Sequence, residues 1–252
     1  SVNITVNDGV LSIGNANALG VVGNTLIING GAIDTVSAGI TQALANPTTI
    51  GSSFAFIGTG ALTTSTGAIT IGSGVNPTIT VLASTLNLFG PISDTNTPSI
   101  TVNGAGTLTL TSTTNAYTGS TTINAGSTLN DAGDLAGGAL VLNGGSFVYN
   151  RAATNAETLG AVTINAGAAT ISNATALNTL NLGTITRAGA NGGTVNFILT
   201  GTALTTTQAG NNGILGGFAV VANGANWAVG SATQGTSGSV TAYAAYTSSV
   251  AG

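Results

Sequence analysis

"GAGTLTLTSTTNAYTGSTTINAGSTLN", Gly104 to Asn130, alternates Leu and Ile with Thr and Asn and carries no charged side chain. Successive residues of a strand face opposite sides, so this spacing separates an apolar row from a row of hydroxyls and amides. Thr suits the polar row, because a β-branched side chain fits a pleated surface and hydrogen-bonds along a ladder of neighbours. A strand this short of charge needs partners on both edges. The reading is a stacked β-solenoid.

The same period recurs along the chain, in "NITVNDGVLSIG" from Asn3, "GAITIGSG" from Gly67, "PTITVLASTLNLFG" from Pro77, "GALVLNGG" from Gly138 and "GTVNFILTG" from Gly193. Gly, Asn, Pro or Ser interrupts most runs after four to seven residues. Many breaks are Asn-Gly pairs: Asn29-Gly30, Asn103-Gly104, Asn143-Gly144, Asn191-Gly192, Asn212-Gly213 and Asn223-Gly224. Both residues tolerate positive φ, so such pairs serve a two-residue hairpin and a solenoid corner alike. One window, "SAGITQALAN" from Ser37 to Asn46 with Pro47 behind it, predicts a short helix near 37–46.

Internal repetition favours the solenoid over a hairpin sandwich. Ile4 to Asp34 resembles Thr122 to Asn150: an Asn-x-Gly turn, a short strand, a loop carrying Leu19-Gly20 or Leu135-Ala136-Gly137, then a strand ending in Asn-Gly-Gly or leading on from it. A third partial copy runs from Ala161 to Gly183. Units that cannot bury an apolar face alone stack on one another. Rungs of roughly 20–25 residues would give about ten to twelve turns, a rod on the order of 50–60 Å long.

Leu88 to Leu129, with "GPIS", "GAGTLTLT" and "NAYTGSTTINAGSTL", followed by "GGALVLNGG", resembles the autotransporter-associated β-strand repeat, or passenger-associated transport repeat, of exported bacterial proteins. "LGTITRAGANGGTVNF" from Leu182 and "NGILGGFAVVANGANWAVG" from Asn212 are similar to parts of large proteins carrying that repeat. The resemblance implies an all-β, right-handed parallel β-helix. The expected organisation is one continuous solenoid over 1–252, with the most repeat-like segment at 88–129 and a variant C-terminal end at about 201–252.

Composition excludes several functions. Two basic and six acidic residues make only 3% of the 252-residue chain charged, while 42% is hydrophobic. Disorder needs the opposite balance. With no Lys, two Arg and a net charge of −4, the chain cannot release counterions from a phosphate backbone or gather on anionic lipid, so neither nucleic acid nor a membrane surface is a partner. Cys and His are absent, which removes thiolate metal sites and the usual general base. No apolar run reaches the roughly 18–20 residues of a membrane helix, and 4% aromatics cannot furnish the girdles of a membrane barrel. Met is absent and Ser1 leads, as expected of an exported chain after signal removal or a piece of a longer precursor.

The charged residues are Asp8, Asp34, Asp94, Asp131, Asp134, Glu157, Arg151 and Arg187. Asp8, in "VNDGV", is a turn residue. Asp131 and Asp134 lie three apart in "LNDAGDLAGG", readable as an acid/base pair, a weak calcium loop or two solvated acids at a glycine-rich corner. Arg151 and Glu157 read as a surface ion pair across a loop, and Arg187 as a solvent-facing side chain. A nucleophilic Ser would need a base, and neither His nor Lys exists. No catalytic, cofactor or metal residue is therefore assigned, and no cofactor is expected. The aromatic pairs of "SFAFI" (Phe54, Phe56) and "SFVYN" (Phe147, Tyr149) each fall on one strand face, either as a platform for sugar rings or as a ladder inside the coil. Asn3 and Asn173 head glycosylation sequons.

A solenoid has two ends with unpaired backbone groups, and the first and last strand patterns here carry no charge to guard them. Val2, Ile4 and Val6 at one end, with Trp227, Tyr243 and Tyr246 at the other, are the candidate self-association residues. The expected function is an extracellular structural protein that stacks head to tail into a filament, with no enzymatic activity and a cell-surface glycan as a further partner. The alternatives are a passenger or stalk segment of a larger adhesin or autotransporter, and a carbohydrate-acting β-helix enzyme.

Overall fold

The computed structural model describes residues 1–36, 39–94, 96–135, 138–152, 156–175, 179–189, 192–200, 204–211 and 214–244. Its strands wind round three faces. The first face stacks Asn3–Val6, Thr25–Ile28, Thr48–Ile50, Ile69–Ile71 and Ile92–Ser93. The second stacks nine strands, from Val10–Ile13 to Thr184–Arg187. The third runs in parallel from Ile40–Thr41 to Ala219–Val221. After Ser93 the first position passes to irregular backbone, which stays in the ladder where the Ala116 N–H donates to Ile92 O (2.8 Å). A four-stranded sheet beginning at Glu157–Thr158 follows. The result is a parallel β-solenoid of about nine turns, consistent with the right-handed winding that parallel crossovers adopt.

Register makes the core continuous. On the third face Ile40, Leu62, Leu86, Leu108, Leu129, Phe147, Ile171, Phe197 and Val221 follow one another in a single inward column. All nine are buried. Outside, Thr85, Thr107, Thr128, Ser146 and Thr170 form the matching column of hydroxyls. At the corner beside the second face the Asn165 side-chain amide donates to Asn143 Oδ1 (2.7 Å), and that of Asn143 to Asn124 Oδ1 (2.9 Å). Such amide ladders satisfy polar groups between turns without any ion pair.

Turn length varies: Thr122 pairs with Val141, 19 residues on, and Ala55 with Thr80, 25 residues on. The rungs thus have the expected size, yet there are fewer than ten to twelve. The reason lies beyond Ala219–Val221. Its neighbour Asn226–Val229 runs antiparallel to it, and Thr241–Ala242 antiparallel to that. Residues that would have made further turns fold back across the end instead. Nine strand spacings of about 4.8 Å give a rod of about 40 Å.

The helix expected near 37–46 is not formed in its described part. Ile40–Thr41 is a strand, with Ile40 buried and paired to Leu62; Ser37 and Ala38 lie outside the described residues. One more rung contact for Ile40 outweighs a short helix whose single turn or two would stand alone. Asn103-Gly104 turns a corner between the second and third faces and makes no hairpin, since Ile100–Asn103 and Thr107–Leu110 each pair with neighbouring turns. Gly104 adopts φ +91°, and a Cβ there would meet Val81 O at 2.2 Å. Asn223-Gly224 does sit in a hairpin, the one joining Ala219–Val221 to Asn226–Val229. The two similar segments, Ile4–Asp34 and Thr122–Asn150, start on different faces, the first and the second. What they share is the grammar of strand, corner, strand.

Inward and outward positions of one strand therefore differ in energetic weight. Leu129→Ala should destabilise the coil by about 2–5 kcal/mol, whereas Thr128→Ala beside it should cost no more than about 1 kcal/mol. Denaturant unfolding of both variants against the wild type checks the contrast.

Candidate functional site

The inward column next to the apolar one reads Leu88, Leu110, Asp131, Tyr149, Asn173 on the third face. Asp131 thus takes a core position between Leu110 and Tyr149 and is fully buried. Glu157, on the first strand of the four-stranded sheet, is buried against it, and the two carboxyl groups hydrogen-bond to one another. Backbone donors fix the outer oxygens: the Gly133 N–H donates to Asp131 Oδ1 (3.1 Å) and the Leu135 N–H to Glu157 Oε1 (2.8 Å). Asp131 Oδ2 and Glu157 Oε2 are buried and receive no other donor. Burial holds both acids well above the usual carboxylate range; the neighbouring Asp131 charge adds to the rise at Glu157.

Three turns converge here. Arg151 Nη1 lies 3.8 Å from Asp134 Oδ2, and its guanidinium also bonds the Tyr149 side chain. Burial pushes the Tyr149 phenol up to about 12. Tyr117 is buried in the same interior, shares a hydrogen bond with Thr121 Oγ1 (2.9 Å), and is likewise raised by burial. Asn115 takes the place of a ladder strand: its Oδ1 accepts from the Ile92 N–H (2.8 Å) and its Nδ2 donates to Asp134 O (2.7 Å). The run Asn115–Thr121 is thus a stitch between turns, and Gly119 is part of it because a Cβ there would meet Pro98 O at 2.1 Å.

Two expectations need correcting. Asp131 is no solvated corner acid, because its place in the strand ladder turns it inward; Asp134 alone sits at a partly exposed rim, so the two do not flank a groove. Arg151 and Glu157 form no surface ion pair. Both are buried, with Arg151 paired to Asp134 and Glu157 turned to Asp131. Sequence spacing missed the Asp131–Glu157 contact because it depends on register across turns. Among the described residues no group of three acids, His or Cys could hold a metal ion.

The aromatic pairs Phe54/Phe56 and Phe147/Tyr149 point into the coil and are buried. Asn173 is buried too, which closes its sequon, while Asn3 is exposed. Arg187 ends an inward column at the last strand of the second face. Its guanidinium donates to the Gly192 and Gly193 carbonyls and lies 5.8 Å from the Phe218 ring centre. Inside the first turns a cavity of about 40 Å³ is lined by Leu26, Ile50, Phe54 and Gln42 among others. That is room for water, not for a sugar.

The proposed self-association residues lie at the two ends. Val2 is 66% exposed, Ile4 half-buried and Val6 buried in the first turn. Trp227 is 39% exposed on the strand that folds back over the other end, where the Tyr243 N–H donates to Trp227 O (2.9 Å). Tyr246 lies outside the described residues.

These features define a parallel β-solenoid with a polar clasp inside. A family model, the passenger-associated-transport-repeat, matches residues 100–130. That segment holds Ile100–Asn103 and Thr107–Leu110 with their partners in the next turn, Thr121–Asn124 and Thr128–Asp131. One repeat unit therefore corresponds to one turn of the coil, with a 21-residue step at Thr101/Thr122 and again at Thr107/Thr128. No curated protein and no solved structure matches the chain. No helix among the described residues is long and apolar enough to cross a membrane.

Burial separates the two arginines as protease sites. Trypsin acting on the native protein should cut after Arg187, giving pieces 1–187 and 188–252, and leave Arg151 intact until denaturant is added. Intact-mass analysis of a digestion time course reads this directly.

Proposed function

We propose that this chain is a structural, passenger-type rod: a stretch of exported β-solenoid that serves as a stalk at the bacterial cell surface. The single observation that supports it most is the coincidence of the matched transport repeat with one turn of an uninterrupted coil. In a ladder of this kind every turn templates the next, and the rod lengthens by adding units without changing its cross-section. Acids drawn into the core in place of a cleft favour a structural role over a carbohydrate-acting one.

A head-to-tail filament is the second reading, and the surface of the first turn favours it. Asn3–Val6 and Val10–Ile13 each pair on one side only, and Val2, Val10, Val21 and Val22 are exposed around them. An apolar end with free ladder groups is built to be covered, by another turn of a longer chain in the stalk reading or by a second copy in the filament reading. The antiparallel strands over the opposite end interrupt parallel stacking there, which weighs towards the stalk.

Negative-stain electron microscopy with sedimentation velocity at neutral pH separates the two. The stalk reading expects discrete short rods; unlimited filaments, lost on Val2→Thr with Val10→Thr, would overturn it in favour of stacking. Protease shaving of intact cells making the full-length protein tests surface display, and a chain protected from the protease would count against export.

A further inference from the structure

We propose that Asp131 and Glu157 hold one proton between them and that this shared proton is a pH-operated clasp on the middle turns of the coil, closed in acid and loosened in alkali. Two ionised carboxylates are acceptors only, so Asp131 Oδ2 and Glu157 Oε2, turned to one another in a dry interior, would leave both oxygens unsatisfied. One proton satisfies both in a single hydrogen bond. Their remaining oxygens are occupied by the Gly133 and Leu135 N–H groups, so the carboxyls cannot turn away without breaking backbone contacts.

The surroundings favour that proton. The charged and titratable groups around the pair are Arg151, Asp134, Tyr149 and Tyr117. Arg151 is the one cation, and it is engaged with Asp134. A second negative charge on the pair would meet no counter-charge, and both phenols stay neutral through the physiological range. The clasp joins Thr128–Asp131 to Glu157–Thr158, strands separated along the chain by Ser146–Tyr149.

The sign follows from linkage. Both acids are raised in the folded state, mainly by burial, so the fold binds protons that the unfolded chain has released. The stabilisation is complete below the ordinary carboxylate range, about pH 4. It is lost progressively as pH rises towards about 9. Most proteins rich in paired carboxylates behave in the opposite way at the acid end. The proton belongs to the pair rather than to either residue.

The test is denaturant unfolding from about pH 4 to about pH 9 for the wild type, Glu157→Gln and Asp131→Asn. Either amide keeps an oxygen for its backbone donor and brings a permanent N–H to the partner carboxylate. The wild type should lose stability as pH rises, and each variant should show a slope smaller by about one proton per molecule. A flat wild-type profile, or variants with the wild-type slope, would overturn the proposal. Infrared spectra of the folded wild type at neutral pH give a readout independent of the variants. A protonated-carboxyl carbonyl stretch is expected there, and its absence would be equally decisive against the clasp.

Discussion

Everything in this molecule depends on in-register stacking of parallel strands, each turn lying on the one before with like residues above like. The ladder sets the spacing at about 4.8 Å. At that distance a column of Leu, Phe and Ile closes into a core without voids, and a column of Thr or Asn satisfies itself by side-chain hydrogen bonds. The chain therefore needs no surface ion pairs. Its few charged side chains can be spent elsewhere, and four of them gather at one interior corner.

That corner is where the coil departs from its own rule. Between Ser93 and Glu157 the first face loses its regular strands. Side chains take over the stitching there: Asn115 reaches the turns on both sides, Tyr117 fills the interior, and Asp131, Glu157 and Arg151 supply polar contacts in place of backbone ones. A buried polar cluster of this sort is costly when one member is unpaired and specific when all are paired. It gives the middle turns a defined register where the ladder alone is weakest. The matched repeat at 100–130 ends one residue short of Asp131, so the clasp begins where the common pattern stops.

The two ends of the rod are managed differently. At one, parallel stacking gives way to antiparallel strands reached through the Asn223-Gly224 hairpin, a device that covers an edge without charge. At the other, apolar side chains stand exposed beside half-paired strands. This polarity suits a rod that continues in one direction, whether within a longer chain or through contact with a copy. Uncharged walls and a dry core leave few sites where ligands or proteases could take hold.

The sequence by itself determined the strands, their inward and outward faces, the corner chemistry and the length of a turn, because alternation and Asn-Gly signals are local. "GTLTLT" and "TTINAGSTL" could be read almost directly as ladder segments of adjoining turns. The tertiary structure decided what depends on register: that Ile40 joins a column instead of a helix, that the last residues fold back, and that Asp131 meets Glu157 while Arg151 turns to Asp134. Turns of 19 to 25 residues place no fixed sequence distance between stacked neighbours. Which acid faces which is therefore invisible until the coil is wound, and burial, which raises both acids, exists only after that winding.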